Sequence, residues 1–346
     1  AQPVLDLDLA VLENHLENVV LRKQELLNAC EADKETLMSN PKFAEQLISL
    51  GVEPPMKISP RTGKQTFAFS KTDEHFKDLQ NHPNQKVQTL VAARLGTKST
   101  LEETRTQRFM DIGNRGRLPV PLKYYAAHTG RWGGSDNVNL QNIPRNSVLK
   151  QAIQAPEGFV IVNSDSSQIE ARVLAWLAGQ NDLVEAFANG KDVYKMMASK
   201  IFLKDIKDIT KEERFVGKTT ILGCGYGMGA KKFSNQLKAF GMLVDVERCK
   251  KIVYTYRRAV PLIPQFWKYA QDGLEAIIQG KYLQITKQKQ ALDIIPNVGF
   301  DLPNKLQLRY PDLKKEQDSS GEYYYSYKSK KDRINIYGGK VVENIC

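Results

Sequence analysis

One acidic residue and one run of basic and aromatic residues carry most of the chemistry in this sequence. Asp165 ends the apolar run Phe159-Val160-Ile161-Val162 and opens Ser164-Asp165-Ser166-Ser167-Gln168-Ile169-Glu170-Ala171-Arg172. A carboxylate at a strand end suits a hard cation, because Mg²⁺ takes oxygen ligands and shares them with waters and substrate phosphates. The backbone carbonyl of Ser166 is a candidate second ligand. Taken alone, an aspartate here is more often the cap of a helix, one that would start near Gln168. Farther along, Arg214, Lys218, Leu222 and Tyr226 recur at every fourth position. On a helix this spacing puts them on one face, about 6 Å apart. Arg offers a forked donor to phosphate oxygens and Lys a point charge. Leu222 and Tyr226 offer apolar and aromatic surface to a sugar and a base. A merely solvated helix face does not run from basic to apolar to aromatic. Together the two features describe a site that handles nucleotides.

Other stretches read less sharply. Gly223, Gly225, Gly227 and Gly229 alternate after the basic face. Glycine inside a helix costs roughly 1 kcal/mol against Ala, so either the helix ends here or something large packs on bare backbone. Gly217-Lys218-Thr219 lacks the earlier glycine of a phosphate-binding P-loop. In Gly96-Thr97-Lys98-Ser99-Thr100-Leu101-Glu102-Glu103, Ser99 with Glu102 or Thr100 with Glu103 reads as a capping box. The exposed amides of such a helix start, with Lys98, also suit a phosphate, and the local pattern does not choose between the two. Residues 113–150 are polar and contain His128-Thr129-Gly130-Arg131-Trp132 and Asn139-Leu140-Gln141-Asn142-Ile143-Pro144-Arg145. Amide side chains at this density form turns or reach acceptors on base edges.

The elements that must position these groups follow from periodicity. Steps of three and four predict an amphipathic helix over residues 5–30, with Asp6 and Asp8 as its solvated acidic start. A loop is expected from Pro54 to Lys71, and a second helix from Thr72 to Leu95. Residues 159–179 read as strand, turn and helix, with Gly179 as the cap. Residues 181–300 read as mostly helical, broken at Pro261 and Pro264. The runs 305–310 and 322–327 read as a β-hairpin around Asp318-Ser319-Ser320-Gly321, and a last helix starts near Gly338-Gly339.

The chain has 346 residues, 41% of them hydrophobic, enough for two or three packed domains. Its 50 Lys and Arg outnumber 39 Asp and Glu for a formal charge of +11. That excess is spread along the chain, so a folded groove for a polyanion is expected rather than a basic arm. Cys30, Cys224, Cys249 and Cys346 show no metal-binding spacing, and a reducing cytosol is the natural compartment. No apolar run approaches the ~20 residues of a membrane span, and no signal peptide is present, so no membrane partner is expected. Without an initiator Met, both ends read as cuts in a longer frame.

Three of these stretches, in order, resemble family A DNA polymerases of the bacterial polymerase I type, most closely their bacteriophage members. Thr129-Gly130-Arg131 through Asn139-Leu140-Gln141-Asn142-Ile143-Pro144-Arg145 resembles the palm segment that touches primer terminus and template. Asp165 through Arg172 resembles motif A, and Arg214 through Lys218 to Tyr226-Gly227 resembles motif B, the O helix of the fingers. Lys98-Ser99-Thr100 resembles the thumb segment that follows the duplex backbone. The likeness covers nearly the whole chain.

The resemblance implies an α+β, partial right-hand fold, mostly helical with an antiparallel palm sheet. Its implied parts are an N-terminal helical region and thumb (1–112), a first palm segment (113–185), fingers (186–300) and a shortened second palm segment (301–346). It implies template-directed DNA synthesis from dNTPs on primer-template DNA, in the cytoplasm of a bacterial host and alongside phage replisome proteins. Asp165, with Ser166, would hold two Mg²⁺ ions; Arg214 would meet the outer phosphates and Lys218 the reacting one. Ser166, Gln168, Glu170, Leu222 and Tyr226 would line the nucleotide, with Glu170 crowding a 2′-hydroxyl. Lys98, Ser99, Thr100, Thr129, Arg131, Asn139, Gln141, Asn142, Tyr226 and Gly227 would face DNA, and Arg131 would read a minor-groove acceptor.

Two departures stand out. Leu222 stands where the family commonly has Tyr or Phe, which implies poor use of dideoxynucleotides. The His-Asp-Glu turn of motif C is not found, and Gly338–Cys346 resembles the helix before it. One carboxylate is too few for two Mg²⁺ ions, so this chain alone is expected not to extend a primer until a C-terminal palm segment joins it. The rival readings are a catalytically inactive DNA-binding subunit and a single-subunit RNA polymerase; Glu170 opposes the latter.

Overall fold

Asp8 starts the first long helix, Leu9–Asn28, from extended backbone, and its side chain accepts from the Val11 amide at 3.1 Å. The helix expected from residue 5 is shorter at that end. Leu5-Asp6-Leu7-Asp8-Leu9 alternates apolar and acidic residues, and Pro3–Leu7 is a strand paired with Leu118–Pro119 and Ile153–Gln154. Asp6 therefore belongs to the strand, where it meets Arg117 at 2.8 Å. The computed structural model describes residues 3–59, 63–285, 292–318, 320–330 and 332–346. They form two compact units. One runs to Ala126 and adds Trp132–Asn163; the other joins Ala127–Arg131 to Ser164–Cys346.

The first unit buries two apolar clusters. Leu12, Phe109, Ile112, Leu118, Leu149 and Ala152 fill one; Leu37, Phe43, Leu47, Phe76, Val87 and Val91 fill the other. The expected loop 54–71 contains a short hairpin, Met56–Ile58 against Gln65–Phe67, while residues 60–62 lie outside the described ones. The expected helix 72–95 is broken. Glu74–Asp78 ends in a tight turn, His82 is extended ahead of Pro83, and Asn84 caps a new helix, Gln85–Lys98. Proline forces that break, because it pushes the preceding residue out of helical backbone. The expected capping box does not form: Thr100 precedes Leu101–Gly113 without a side-chain cap bond. Its two glutamates are engaged elsewhere, Glu103 with Lys23 at 2.6 Å and Glu102 with Arg22 at 3.4 Å.

The second unit is mostly helical, with two small antiparallel sheets. Its core gathers Leu174, Tyr194, Val216, Phe233, Tyr256, Phe266, Phe300, Tyr310 and Val342. Gly179 ends Ile169–Ala178 in the left-handed conformation, as expected of a helix-capping glycine. The helical stretch ends at Ile278; Asp293–Ile295 and Gly299–Asp301 are strands, and residues 286–291 lie outside the described ones. The expected hairpin pairs differently. Gln307–Arg309 joins Gly299–Asp301, whereas Tyr323–Lys328 pairs with Lys314–Gln317 and Arg333–Ile336. The charged run 314–317 carries no apolar alternation, which hid it. Its strand is held by polar side chains, Glu316 to Ser326 and Lys315 to Glu275 at 3.0 Å. Asp318 caps the turn by accepting from Ser320 and Glu322 amides, and Ser319 lies outside the described residues. The fold class is α+β. No helix among the described residues is long and apolar enough to cross a membrane.

Two helices of this unit, Val193–Phe202 and Lys211–Cys224, meet almost backbone to backbone. A Cβ on Gly217 would lie 2.2 Å from the Tyr194 carbonyl oxygen and 3.1 Å from the Ala198 methyl. Asp192 caps the first helix by accepting from the Tyr194 and Lys195 amides, and takes Arg214 of the second at 2.6 Å. Burial works against its ionised form, but hydrogen bonds from Arg214 and the Lys195 amide outweigh it and hold the carboxyl below its ordinary range.

Gly217→Ala is expected to cost about 1–3 kcal/mol by overpacking, read as a lower midpoint in helix-monitored urea unfolding; an unchanged midpoint would show that the two helices separate freely. Asp192→Ala is expected to cost about 1–2 kcal/mol at pH 7 by losing the cap and the ion pair. The pair's share exists above the ordinary carboxylate pKa and disappears as pH falls through the depressed one. Parent and variant should therefore converge in acid, and a gap that widens there refutes the assignment.

Candidate nucleotide and nucleic-acid site

Thr210 and Glu213 close a reciprocal capping box at the start of Lys211–Cys224: Thr210 accepts from the Glu213 amide at 3.2 Å, and Glu213 from the Thr210 amide at 3.0 Å. The helix so fixed carries Arg214, Lys218 and Leu222 at successive four-residue steps. Arg214 is tethered. Its Nε donates to Asp192, and its guanidinium lies 5.3 Å from the centre of the Tyr194 ring. Burial raises the Tyr194 phenol, partly offset by the Arg214 charge, and the Gln168 side chain hydrogen-bonds to it. Lys218 is exposed and meets no carboxylate among the described residues. One face of the helix thus presents one oriented guanidinium and one open ammonium.

Tyr226 departs from expectation. The helix ends at Cys224, and Tyr226 sits in the turn beyond it. The expected glycine effects both operate here. Gly227 takes φ +84°, and a Cβ on Gly225 would lie 2.9 Å from Leu174. Trp267 donates its ring N–H to the Gly225 carbonyl at 2.8 Å, and the Tyr337 hydroxyl reaches the Tyr226 carbonyl at 3.5 Å. Burial pushes the Tyr226 phenol far up, helped by the nearby Cys346 and Glu170. Burial also pushes the Cys346 thiol up to about 12.

The motif around Asp165 is only half as expected. Phe159–Ser166 forms no strand among the described residues. Phe159, Val160, Ile161 and Val162 are 73%, 82%, 54% and 83% exposed, so the run expected to be a buried strand is bare. A strand needs a neighbour to bond its backbone, and none of the described residues supplies one. Asp165 is exposed and does not cap the helix. Gln168, in the left-handed conformation at φ 58°, precedes Ile169–Ala178. The Ser166 carbonyl accepts from the Ile169 amide at 3.3 Å. Glu170 meets Arg131 at 3.0 Å, so the residue expected to read a minor groove is held by the one expected to guard the sugar. Among the described residues, no three His, Cys, Asp or Glu side chains converge as a metal cluster. The donors present, one carboxylate and one carbonyl, do not fit a two-ion site.

The remaining expected DNA contacts divide between the units. Thr129 belongs to the second unit, beside His128, whose ring stacks 5.4 Å from that of Tyr327. In the first unit Lys98 donates to the Asn40 side chain at 3.2 Å, and the Ser99 carbonyl accepts from Lys23 at 2.8 Å. Asn139 accepts from the Gln141 amide at 3.1 Å, Gln141 donates to the Trp132 carbonyl at 3.3 Å, and the Asn142 carbonyl accepts from Arg105. Asn139 thus acts as a turn former in this structure. Sequence reasoning missed Asp192, Tyr194, Trp267 and Tyr337. Gly190-Lys191-Asp192 before an apolar helix was a readable N-cap signal; the two carbonyl-binding side chains left none.

The model of DNA polymerase family A matches residues 9–297. The DNA polymerase of Bacillus phage SP02 is 28% identical, over 91% of this chain and 53% of its own length. The thermostable DNA polymerase I of Thermus thermophilus is 40% identical over 43% of this chain and 18% of its own. The chain thus spans about half of the phage relative and less of the bacterial one. Among solved structures, the POL domain of Pol1 from M. smegmatis, in complex with DNA primer-template and dNTP, superposes with a TM-score of 0.60. It is 23% identical and covers 81% of this chain and 48% of that one. Matched over most of its length by the family model, this chain belongs to DNA polymerase family A.

Proposed function

We propose that the chain binds primer-template DNA and a dNTP, and supplies the nucleotide-binding half of a template-directed DNA polymerase. One observation carries the reading: Lys211–Cys224 presents Arg214 held by Asp192 and Tyr194, an open Lys218, and Leu222 in line with them. Such a row offers a triphosphate two cations and then an apolar rest for the sugar. Arg214 takes the outer phosphates, where its orientation by Asp192 leaves its remaining N–H groups to donate. Lys218 faces the phosphate at which the primer 3′-oxygen displaces pyrophosphate, and its ammonium can donate a proton to the departing oxygen. Glu170, with Arg131 at 3.0 Å, borders the sugar and disfavours a 2′-hydroxyl by crowding and desolvation. That disfavours RNA synthesis as the alternative. Thr129, Arg131, Tyr226 and Gly227 face the templating pair, and Lys98, Ser99 and Thr100 the phosphates of the bound DNA. The likeness to a phage polymerase supports phage replication in a bacterial cytoplasm as the setting.

Members of this family use divalent metal ions, generally Mg²⁺. In this chain Asp165 and the Ser166 carbonyl are the groups such an ion would meet. They leave a two-ion site short of oxygen ligands, so nucleotidyl transfer awaits further carboxylates.

With labelled primer-template, the parent chain should bind more tightly when the next correct dNTP is added, without extending the primer in Mg²⁺. Lys218→Ala should weaken the dNTP response about tenfold, leaving binding without dNTP unchanged. A pure DNA-binding subunit would show no dNTP response in either protein. Leu222→Tyr is expected to raise the response to dideoxynucleotide relative to dNTP, since a phenol can stand in for the absent 3′-hydroxyl; equal ratios in both forms would count against Leu222 at the sugar.

A further inference from the structure

The first unit holds a cleft of about 430 Å³ whose chemistry the dNTP site does not use. Its floor is apolar, formed by Phe67, Phe69 and Leu95. Phe67 and Phe69 stack with centres 5.1 Å apart and planes within 2°. Phe69 also packs against Phe43 and Phe76 in the core, which fixes the pair, while Phe67 stays partly exposed.

The rim is cationic. Lys57 is neutralised by Asp73 at 2.7 Å. Lys71 is exposed and meets no carboxylate among the described residues, and Ser70 stands beside it. Lys98 donates at 3.2 Å to the Asn40 side-chain oxygen, which also accepts from Arg94. Arg94 is 1% exposed, has no carboxylate partner among the described residues, and keeps one N–H, at Nε, without any acceptor. Its guanidinium rests on carbonyls and on the rings of Phe43 and Phe69, at 4.3 and 4.9 Å. Burial pulls its pKa down to about 10; burial and the charge of Arg94 pull Lys98 down as well. Buried positive charge without a counter-charge is costly, and an anion at the rim lowers that cost.

We propose that this cleft holds one unpaired nucleotide of a DNA strand, its base against Phe67 and Leu95 and its phosphate between Lys71 and Lys98, with Ser70 and Ser99 as hydrogen-bond donors. A bare anion would leave the stacked floor unused. A cleft of this size admits one base and sugar. Stacking on an aromatic floor with cations along the backbone is the chemistry by which single strands are bound. The inference rests on the polymerase reading only for the source of the strand.

The test uses the full chain, labelled oligo(dT) and a salt series, with dTMP and tripolyphosphate as competitors. Lys71→Ala should weaken oligo(dT) binding about three- to tenfold and flatten the logarithmic salt slope by about 0.7. Phe67→Leu should weaken it about tenfold without changing the slope. Lys71→Glu, at an exposed position, should weaken it further and guards against a folding defect at Phe67. Parent-like affinity and slope in the two Lys71 variants would overturn the proposal. So would displacement by dTMP at concentrations as low as the strand's own, which would make a free nucleotide the ligand, or equal displacement by tripolyphosphate, which would make it a bare anion. Failure of the dNTP response at Lys218, with the cleft variants behaving as stated, would sink the polymerase reading alone.

Discussion

Bare backbone is what the second unit is built around. Gly217 lets Lys211–Cys224 press on the Tyr194 carbonyl, where a methyl would lie 2.2 Å away. Gly338 does the same against Trp267, at 1.9 Å, and Gly339 against the Tyr226 carbonyl, at 2.6 Å. Interiors are close-packed and transmit such contacts as strain if anything is added. Gly217 lies within the basic helix, and Gly338 and Gly339 pack on Trp267 and on the turn that follows that helix. They bring Asp192 within reach of Arg214, and Trp267 within reach of the Gly225 carbonyl. The orientation of the charged face is thus set by atoms that carry no charge.

That packing sorts the cations by task. Arg214 has a carboxylate and a ring beside it, and so is held in direction while part of its field is neutralised. Lys218, one turn on, is open, and its field acts only on what arrives. A planar fork gains from being aimed, whereas a point charge does not. The pairing of Arg131 with Glu170 follows the same logic, because each holds the other in direction while neutralising part of its field. In the first unit Arg94 and Lys98 share one amide oxygen and, among the described residues, no carboxylate. There the uncompensated charge is built into the core itself.

Legibility in the sequence followed the range of the forces involved. Helices with a clean three-and-four spacing and a short-range signal were readable, such as Ile169–Ala178 closing on Gly179, and so was the face formed by Arg214, Lys218 and Leu222. Failures came where tertiary pairing overrode local pattern. Pro3–Leu7 looks helical only if the alternation from Leu5 to Leu9 is ignored, and Lys314–Gln317 is a strand because Tyr323–Lys328 pairs with it, not because its residues favour one. The capping box at Ser99 and Thr100 failed because Lys23 and Arg22, far away in sequence, claimed its glutamates. Tyr226 kept the spacing of a helix face after the helix had ended. No local signal marks Trp267 or Tyr337 as partners of that turn, since a side chain that binds a distant carbonyl leaves no periodic trace.

The run before Asp165 shows the same principle from the other side. Phe159-Val160-Ile161-Val162 is apolar at every position rather than at alternate ones, the pattern of a strand covered on both faces. In the described residues neither face is covered, and the backbone from Val160 to Asp165 has no backbone partner. Asp165 is therefore anchored from one side only, through the Ser166 carbonyl and the helix that begins at Ile169. The basic helix, by contrast, is capped, packed on a glycine and tied by an ion pair. The two segments thus differ in anchorage: the basic helix is fixed by its cap, its close packing and its ion pair, whereas the run before Asp165 is fixed only at its far end.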